Sequence, residues 1–138
     1  MKRDAVIEKL RSHGVSPSAQ RLAVAEHVLT TDAHPSADEV FAIVRRGFPM
    51  ISRATVYNTL NLFVAKGLLR ELVLAEGRVV FDPKVDAHHH FVDEDTGAIR
   101  DIPWEKLKVD GVDGLSGVDV REYQVVVRGK LRAKRRMA

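Results

Sequence analysis

The segment "SRATVYNTLNLFVAKGLLRELVL", residues 52–74, changes its hydrophobic period near its middle and thereby fixes the local architecture. In its first half, apolar residues including Leu60 and Phe63 recur at helical spacing, with Ser52 as N-cap and Gly67 just past the end. After the glycine, the pattern becomes that of a short strand. The segment therefore predicts a helix that leads directly into a β-strand.

Three further helices are predicted upstream. Residues 3–13 are amphipathic, Pro17 opens a second helix, and Ser36 begins a third with an S-x-x-E capping box that ends at Gly47. Downstream, "RVVFD" (residues 78–82) forms a hairpin with the strand of the opening segment, around the turn "AEG". Helices followed by a two-stranded wing are the winged-helix arrangement, whose last helix enters the major groove of DNA.

The rest of the chain predicts a second, smaller domain. "HHHFVDEDTGAIRDI" reads as strand, turn and strand, "WEKLK" as a short helix, and residues 118–131 as a last strand, before a frayed tail "RAKRRMA". The fold class is therefore α+β, with a winged-helix domain over residues 1–84 and an α/β domain over residues 85–138.

Composition limits the classes of protein. The chain has 138 residues, of which 45% are hydrophobic and 30% charged, as in an ordinary globular protein. It has no apolar run typical of a membrane span or signal peptide, which predicts a cytoplasmic protein with no membrane partner. The absence of cysteine excludes disulfides, thiolate zinc sites and thiol redox sensing, so any metal must be held by nitrogen and oxygen.

Charge is unevenly distributed along the chain. Residues 1–75 carry 10 basic and 7 acidic side chains, whereas residues 76–119 carry 5 basic and 11 acidic ones. The basic first part is typical of a protein that binds a polyanion, and the acidic part of one that binds cations.

The candidate DNA contacts are polar residues at the start of the fourth helix, with one arginine of the second helix. Side chains there can bind phosphates or base edges, and a tyrosine ring or threonine methyl can contact the methyl group of thymine. The alternative is an ordinary solvated helix face. The candidates are Arg21, Ser52, Arg53, Thr55, Tyr57 and Asn58.

The run "DAHHHFVDEDTG", residues 86–97, is a candidate metal site. Because side chains alternate on a strand, His88 and His90 share one face while His89 points to the other. Three further donors could complete the site. His34 precedes the third helix, Asp82 ends the strand before the run, and Asp101 lies across the turn that follows it. Such a set suits Fe(II) or Mn(II), although Zn(II) or Ni(II) also bind such donors. The alternative is a polar strand with surface histidines. The candidate ligands are His34, Asp82, His88, His90 and Asp101.

Four segments together resemble the ferric uptake regulator family of metal-dependent repressors. They are "HPSADEVF", "ISRATVYNTLNLFVAKGLL", "FDPKVDAHHHF" and "TGAIRDI", and the resemblance covers about residues 10–103. It implies a homodimer whose winged-helix domains bind an inverted-repeat operator, often A·T-rich, and whose α/β domains dimerise. It also implies that the protein is not an enzyme.

The resemblance also assigns roles to the candidate ligands. All five match the regulatory site of the family, so this chain is expected to hold Fe(II) or Mn(II) at one such site per subunit, and Zn(II) can bind there in vitro. The peroxide-sensing branch has an aspartate at the position of Asp101, where iron sensors usually have glutamate. In that branch, peroxide oxidises a ligand histidine to 2-oxo-histidine, the metal leaves and the operator is released. His34 and His88 match the oxidation-sensitive positions.

The chain departs from the family pattern at the structural zinc site. The four cysteines that usually form it fall on Asp93 and Thr96, and near Leu131 and Lys134, so no structural zinc held by four cysteines is expected. The second domain would then depend on strand pairing and apolar packing. An additional metal site of the family falls on Lys108 and Tyr123, which predicts one metal per subunit. The residues expected to pack are Val92, Ile99, Ile102, Trp104, Leu107, Val125 and Val127.

Several alternatives remain open at this level. The triple histidine, missing cysteines and basic ending also resemble the iron-response branch, which answers to haem, and an iron-responsive regulator of the general type is a further reading. A small non-haem iron enzyme would need an open coordination position, for which five protein ligands leave little room. A DNA-binding module without metal would be indifferent to loss of His34 or Asp101.

Overall fold

The computed structural model describes residues 1–74 and 77–132, which divide into two compact units, Met1–Val85 and Asp86–Ala138. No helix in these described ranges is long and apolar enough to cross a membrane. The α-helices of the described residues all lie in the first unit and are α1 (Arg3–Ser12), α2 (Ala19–Val28), α3 (Ala37–Gly47) and α4 (Arg53–Ala65).

Side-chain caps fix where these helices begin. At α3 the hydroxyl of Ser36 accepts from the amide of Glu39, whose carboxylate accepts from the amide of Ser36, which confirms the capping box. The predicted start of α2 at Pro17 is wrong by two residues. There the hydroxyl of Ser18 accepts the amide proton of Arg21, and a capping residue must itself lie outside the helix.

The first unit has one apolar core. The inward positions of α4, Val56, Leu60 and Phe63, are completely buried, and they pack with buried residues of the other three helices. Burial of an aliphatic or aromatic side chain contributes about 1.5–3 kcal/mol, so this face of α4 stabilises the packing of the helices substantially.

The predicted hairpin is confirmed. Strands β1 (Arg70–Val73) and β2 (Val79–Asp82) pair antiparallel, while the turn residues Ala75 and Glu76 lie outside the described residues. The amide of Phe81 also donates to the carbonyl of Pro35 at 2.9 Å, which ties β2 to the segment that precedes α3.

The second unit contains a three-stranded sheet in the order β4-β3-β5. Strand β3 (His88–Asp93) is central; β4 (Ile99–Pro103) pairs with it antiparallel, and β5 (Val126–Gly129) pairs with it parallel. The helix expected after Pro103 is a single 3₁₀ turn, Trp104–Lys106.

The last strand is shorter than predicted. Of residues 118–131 only those of β5 form a strand, because the ladder is limited by the length of β3 and by the bonds of Val125. The amide of Val125 donates to the His89 side chain at 2.9 Å instead of to a neighbouring strand. Of the predicted tail, only Arg132 lies in the described part of the chain.

The interior of the second unit is more polar than predicted. Of the seven apolar residues expected to pack there, only Val92 and Ile99 are buried, and Val127 is exposed. The histidines of β3 are each at most 1% exposed, so they are not surface side chains. The second unit is therefore organised around imidazole rings and backbone pairing.

Two glycines at helix ends provide a test of the backbone conformation assigned there. Gly67 follows α4 with φ +78°, whereas Gly47 ends α3 without a positive φ, and nothing lies within 4 Å of a Cβ added at either. We expect Gly67→Ala to lower the free energy of unfolding by about 1–2 kcal/mol, since an L side chain is strained there. Gly47→Ala should be neutral or stabilising.

Urea unfolding followed by far-UV circular dichroism, which reports chiefly on α1 to α4, measures both changes. Equal stability of the two variants would contradict the left-handed conformation assigned to Gly67.

Candidate metal centre and nucleic-acid interface

The first unit holds a buried histidine–carboxylate pair. His34 lies just before α3 and Asp82 ends β2; their Nε2 and Oδ2 atoms are 3.2 Å apart, and each residue is 2% exposed. The other oxygen of Asp82 accepts the amide proton of Lys84 at 2.9 Å. Buried polar groups are costly unless they bind each other or a cation, so this pair is a candidate half of a metal site.

The backbone of His34 is strained. Among residues 1–74 and 77–132, His34 is the only residue other than glycine that has a positive φ, and its value is +52°. It also precedes Pro35, and a residue in that position normally has an extended backbone. Such conformations cost on the order of 1–3 kcal/mol and occur mainly at functional sites. The bond from the Phe81 amide to the Pro35 carbonyl fixes this segment beside the end of β2.

The second unit brings together His88, His90 and Asp101. The Nε2 atoms of the two histidines lie 3.2 and 3.4 Å from one carboxylate oxygen of Asp101, and the ligand atoms of these three residues lie within 4.8 Å of one another. Strand alternation and register explain this geometry, because the histidines are two residues apart on β3 and His90 pairs with Asp101 on β4.

Hydrogen bonds on the far side of each ring fix its orientation. The Nδ1 of His88 lies 2.6 Å from the carbonyl oxygen of Asp86, and that of His90 lies 2.8 Å from Oε1 of Gln124. Both partners are acceptors, so each Nδ1 carries the proton and each Nε2 presents a lone pair on the Asp101 side. This is the usual arrangement of a metal-ligating histidine. Sequence reasoning missed Gln124, 34 residues from His90, because no local pattern connects them.

His89 has a different role from its neighbours. Its Nδ1 accepts the amide proton of Val125, and its ring stacks on Trp104 with centroids 4.5 Å apart. Burial, with smaller contributions from the adjacent histidines, lowers the pKa of His89 and keeps it neutral. With its lone pair already occupied, His89 is a packing residue beneath the site.

The donors suit a divalent transition metal. Three imidazole nitrogens and two carboxylates are divided as one pair in the first unit and one triad in the second. Fe(II) and Mn(II) prefer five or six nitrogen and oxygen ligands, whereas Zn(II) accepts four. The triad of two histidines and one aspartate is thus a possible metal site by itself.

The positions of the missing zinc cysteines have other contacts. Asp93 is buried, and its Oδ1 accepts the amide proton of Asp95 at 2.9 Å, which closes the turn between β3 and β4. Leu131 is exposed, and Lys134 lies outside the described residues. At the additional site of the family, Lys108 is exposed, while Tyr123 packs on Trp104, with ring centroids 4.9 Å apart.

The start of α4 presents the candidate DNA contacts. Ser52 accepts the amide proton of Thr55 at 3.0 Å, and its hydroxyl donates to the Thr55 hydroxyl at 2.8 Å, so both residues stabilise the helix end. Arg21 donates to the carbonyl of Ser16 at 2.9 Å. Arg21, Thr55 and exposed Asn58 line one polar groove of about 460 Å³, which brings α2 and α4 to a common surface.

Arg53 and Tyr57 share an acidic partner that the sequence did not reveal. Arg53 forms an ion pair with Oδ1 of Asp38 in α3, and the hydroxyl of Tyr57 donates to the same oxygen at 2.8 Å. That hydrogen bond raises the pKa of Tyr57, which therefore stays protonated as a donor.

Comparison with known proteins identifies the relatives of this chain. The model of the ferric uptake regulator family matches residues 12–127. The peroxide-responsive repressor PerR of Staphylococcus aureus is 35% identical over 101 residues, which cover 73% of this chain and 68% of that protein.

Solved structures show a similar fold. The Campylobacter jejuni peroxide stress regulator has 25% identity and a TM-score of 0.66, with 97% of this chain and 99% of that chain covered. The Pseudomonas aeruginosa ferric uptake regulator with manganese has 22% identity and a TM-score of 0.68, with 96% and 100% covered.

The bond between Gln124 and His90 leads to a prediction about metal affinity. We expect Gln124→Leu to weaken Mn(II) binding by about 10–100-fold, because His90 loses the acceptor that fixes its tautomer. Gln124→Glu should restore or strengthen binding, since a carboxylate is the stronger acceptor. Titration of free Mn(II) by electron paramagnetic resonance measures the affinity.

Gln20→Leu, the same change at an exposed position of α2, is the matched control and should bind Mn(II) normally. Unchanged affinity in Gln124→Leu would show that the hydrogen bond has no part in metal binding.

Proposed function

Because the chain belongs to the ferric uptake regulator family, whose members are metal-responsive transcription regulators rather than enzymes, we propose that it is a metal-dependent repressor that releases operator DNA in response to peroxide. The observation that carries this proposal is the convergence of two oriented imidazoles on Asp101. The aspartate at this position and the similarity to a repressor named as peroxide-responsive support the signal.

In this proposal one Fe(II) or Mn(II) per subunit takes ligands from both units. His34 and Asp82 contribute from the first unit, and His88, His90 and Asp101 from the second. The strained backbone of His34 and the fixed tautomers of the two β3 histidines are consistent with ligands prepared before the metal binds. An ion that requires both groups favours the arrangement in which they meet, and DNA binding is coupled to the metal in that way.

The peroxide response is proposed to destroy one ligand. The proposed ligands would hold Fe(II), and the chemistry that the ion would supply there is one-electron activation of peroxide, with the electron returned as the ring is oxidised. In the net reaction one peroxide oxygen replaces the hydrogen on the ring carbon between the two nitrogens, forming 2-oxo-histidine, and the other oxygen leaves as water. His34 and His88 are the proposed targets. Each is nearly inaccessible to solvent, so oxidation there depends on oxidant generated at the site itself.

The proposed partners are a second copy of the chain and double-stranded DNA. Members of the family are dimeric DNA-binding regulators. Few apolar residues of the second unit are buried, whereas several others are exposed, as expected of a surface that pairs with another copy. A dimer would match an inverted-repeat operator, A·T-rich by analogy with the family, and would act in the cytoplasm. The exposed apolar residues are Val109, Leu115, Val118, Val120, Val127 and Leu131.

The proposed DNA contacts are Arg21, Ser52, Arg53, Thr55, Tyr57 and Asn58. All six lie on α2 or at the start of α4, and Arg21, Thr55 and Asn58 line one groove. Phosphates would bind the arginines, while Tyr57 and Asn58 can reach base edges from a helix in the major groove.

Peroxide treatment of two metal forms tests the response. Protein loaded with Fe(II) should lose operator affinity after exposure to peroxide and gain the mass of one oxygen atom on a peptide that contains His34 or His88. Protein loaded with Mn(II) should keep its affinity and mass, since Mn(II) does not readily supply the same electrons. Fluorescence anisotropy and peptide mass spectrometry give the two measurements.

Two comparisons make this experiment specific. The peptide that contains His13, a histidine that follows α1 and lies outside the proposed ligand set, should remain unmodified. Asp101→Glu should retain the fold and bind metal but lose peroxide sensitivity. Release of DNA by haem without histidine oxidation would instead favour the iron-response branch. Release of DNA when iron is removed, with no effect of peroxide, would favour a general iron sensor.

A further inference from the structure

Asp38 is the shared partner of two proposed DNA-contacting side chains. It is the second residue of α3, and its Oδ1 atom accepts from both Arg53 and the hydroxyl of Tyr57. The side chains of Asp38 and Arg53 are 63% and 61% exposed. Exposed ion pairs contribute little to stability, so the value of this contact to the fold is small.

An aromatic ring completes the contact. The guanidinium of Arg53 lies 5.3 Å from the ring centroid of Phe41, and that of Arg45 lies 5.5 Å from it. Arg53 is therefore held against α3 by a carboxylate, which competes with a DNA phosphate for its N–H donors, and by a ring face.

We propose that Asp38 is a specificity-determining residue that competes with DNA phosphates for Arg53 and orients Tyr57 toward the bases. This inference rests on the proposed function, in which the start of α4 enters the major groove. On DNA of any sequence, a phosphate that binds Arg53 must share the guanidinium with Asp38 or displace it, and the carboxylate then lies close to the polyanion. Non-specific binding depends on such phosphate contacts, so Asp38 weakens it selectively.

The affinity for the operator is lowered less, because the contact between Tyr57 and a base contributes to binding there. The hydrogen bond to Asp38 restricts the tyrosine side chain, so less conformational freedom is lost when the ring meets a base edge. One carboxylate thus lowers affinity for DNA in general and supports the contact that depends on sequence.

Two substitutions separate these effects. Asp38→Asn removes the charge but keeps an oxygen that can accept from Tyr57, whereas Asp38→Ala removes both. Glu8→Gln, an exposed position of α1, changes the net charge equally and is the matched control. The probes are a duplex selected from a random library by the unaltered Mn(II)-loaded protein and a scrambled duplex of the same composition. Dissociation constants are measured by fluorescence anisotropy over a range of salt concentrations.

We expect Asp38→Asn to bind the scrambled duplex several-fold more tightly and the selected duplex with a smaller gain. The specificity ratio should fall by roughly 3–10-fold, and the salt dependence should steepen by about one phosphate contact. Asp38→Ala should in addition weaken binding to the selected duplex, whereas Glu8→Gln should leave the ratio unchanged. Circular dichroism confirms that each variant is folded.

The outcomes distinguish this inference from the function on which it rests. A ratio and salt dependence in Asp38→Asn equal to those of Glu8→Gln would overturn the role of Asp38 alone. Failure of the unaltered protein to select any duplex would overturn both the role and the proposed repressor.

Discussion

The antiparallel register of β3 and β4 is the constraint on which the site depends. It places His88 and His90 on one face of β3 and aligns His90 with Asp101. A slip of one residue would turn His89 toward the carboxylate and both ligands away from it. The amide of Val125 and the ring of Trp104 hold His89 on the other face, so the same contacts that pack the unit also fix the register.

The distribution of donors between the two units underlies the proposed coupling between metal and DNA. The first unit contains the proposed DNA surface and a histidine–aspartate pair, while the second contains the oriented triad. Neither group satisfies a five- or six-coordinate ion by itself. In the proposed function, one ion shared by both groups would make metal affinity depend on the arrangement of the two units, and that dependence is the physical requirement for allosteric control.

The positions that correspond to the zinc cysteines of the family pattern are stabilised by other contacts. At the first of their positions, Asp93 closes the β3–β4 turn through its own side chain, and the amide of Glu94 donates to the carbonyl of Gly129 in β5. Local hydrogen bonds thus occupy the place of a metal cross-link. The described part of the second unit is accordingly held together by backbone pairing.

Local patterns predicted much of this structure. The capping box of α3, the apolar face of α4 and the hairpin after Gly67 are encoded within a few residues, and each was confirmed. Contacts between distant segments were not accessible, because Gln124 meets His90 and Asp38 meets Tyr57 only after folding. The length of β5 also escaped prediction, since it is set by the partner strand and not by its own apolar run.

Reciprocity between metal and DNA tests the central claim most directly. Mn(II) affinity should be measured with and without the selected duplex, and duplex affinity with and without Mn(II), for the unaltered protein and for His34→Ala. We predict that each ligand strengthens the other by the same factor, within the roughly 5–150-fold range usual for allosteric coupling, and that the coupling disappears in His34→Ala. Mn(II) affinity that is identical with and without the duplex would contradict shared ligation as the link between metal and DNA.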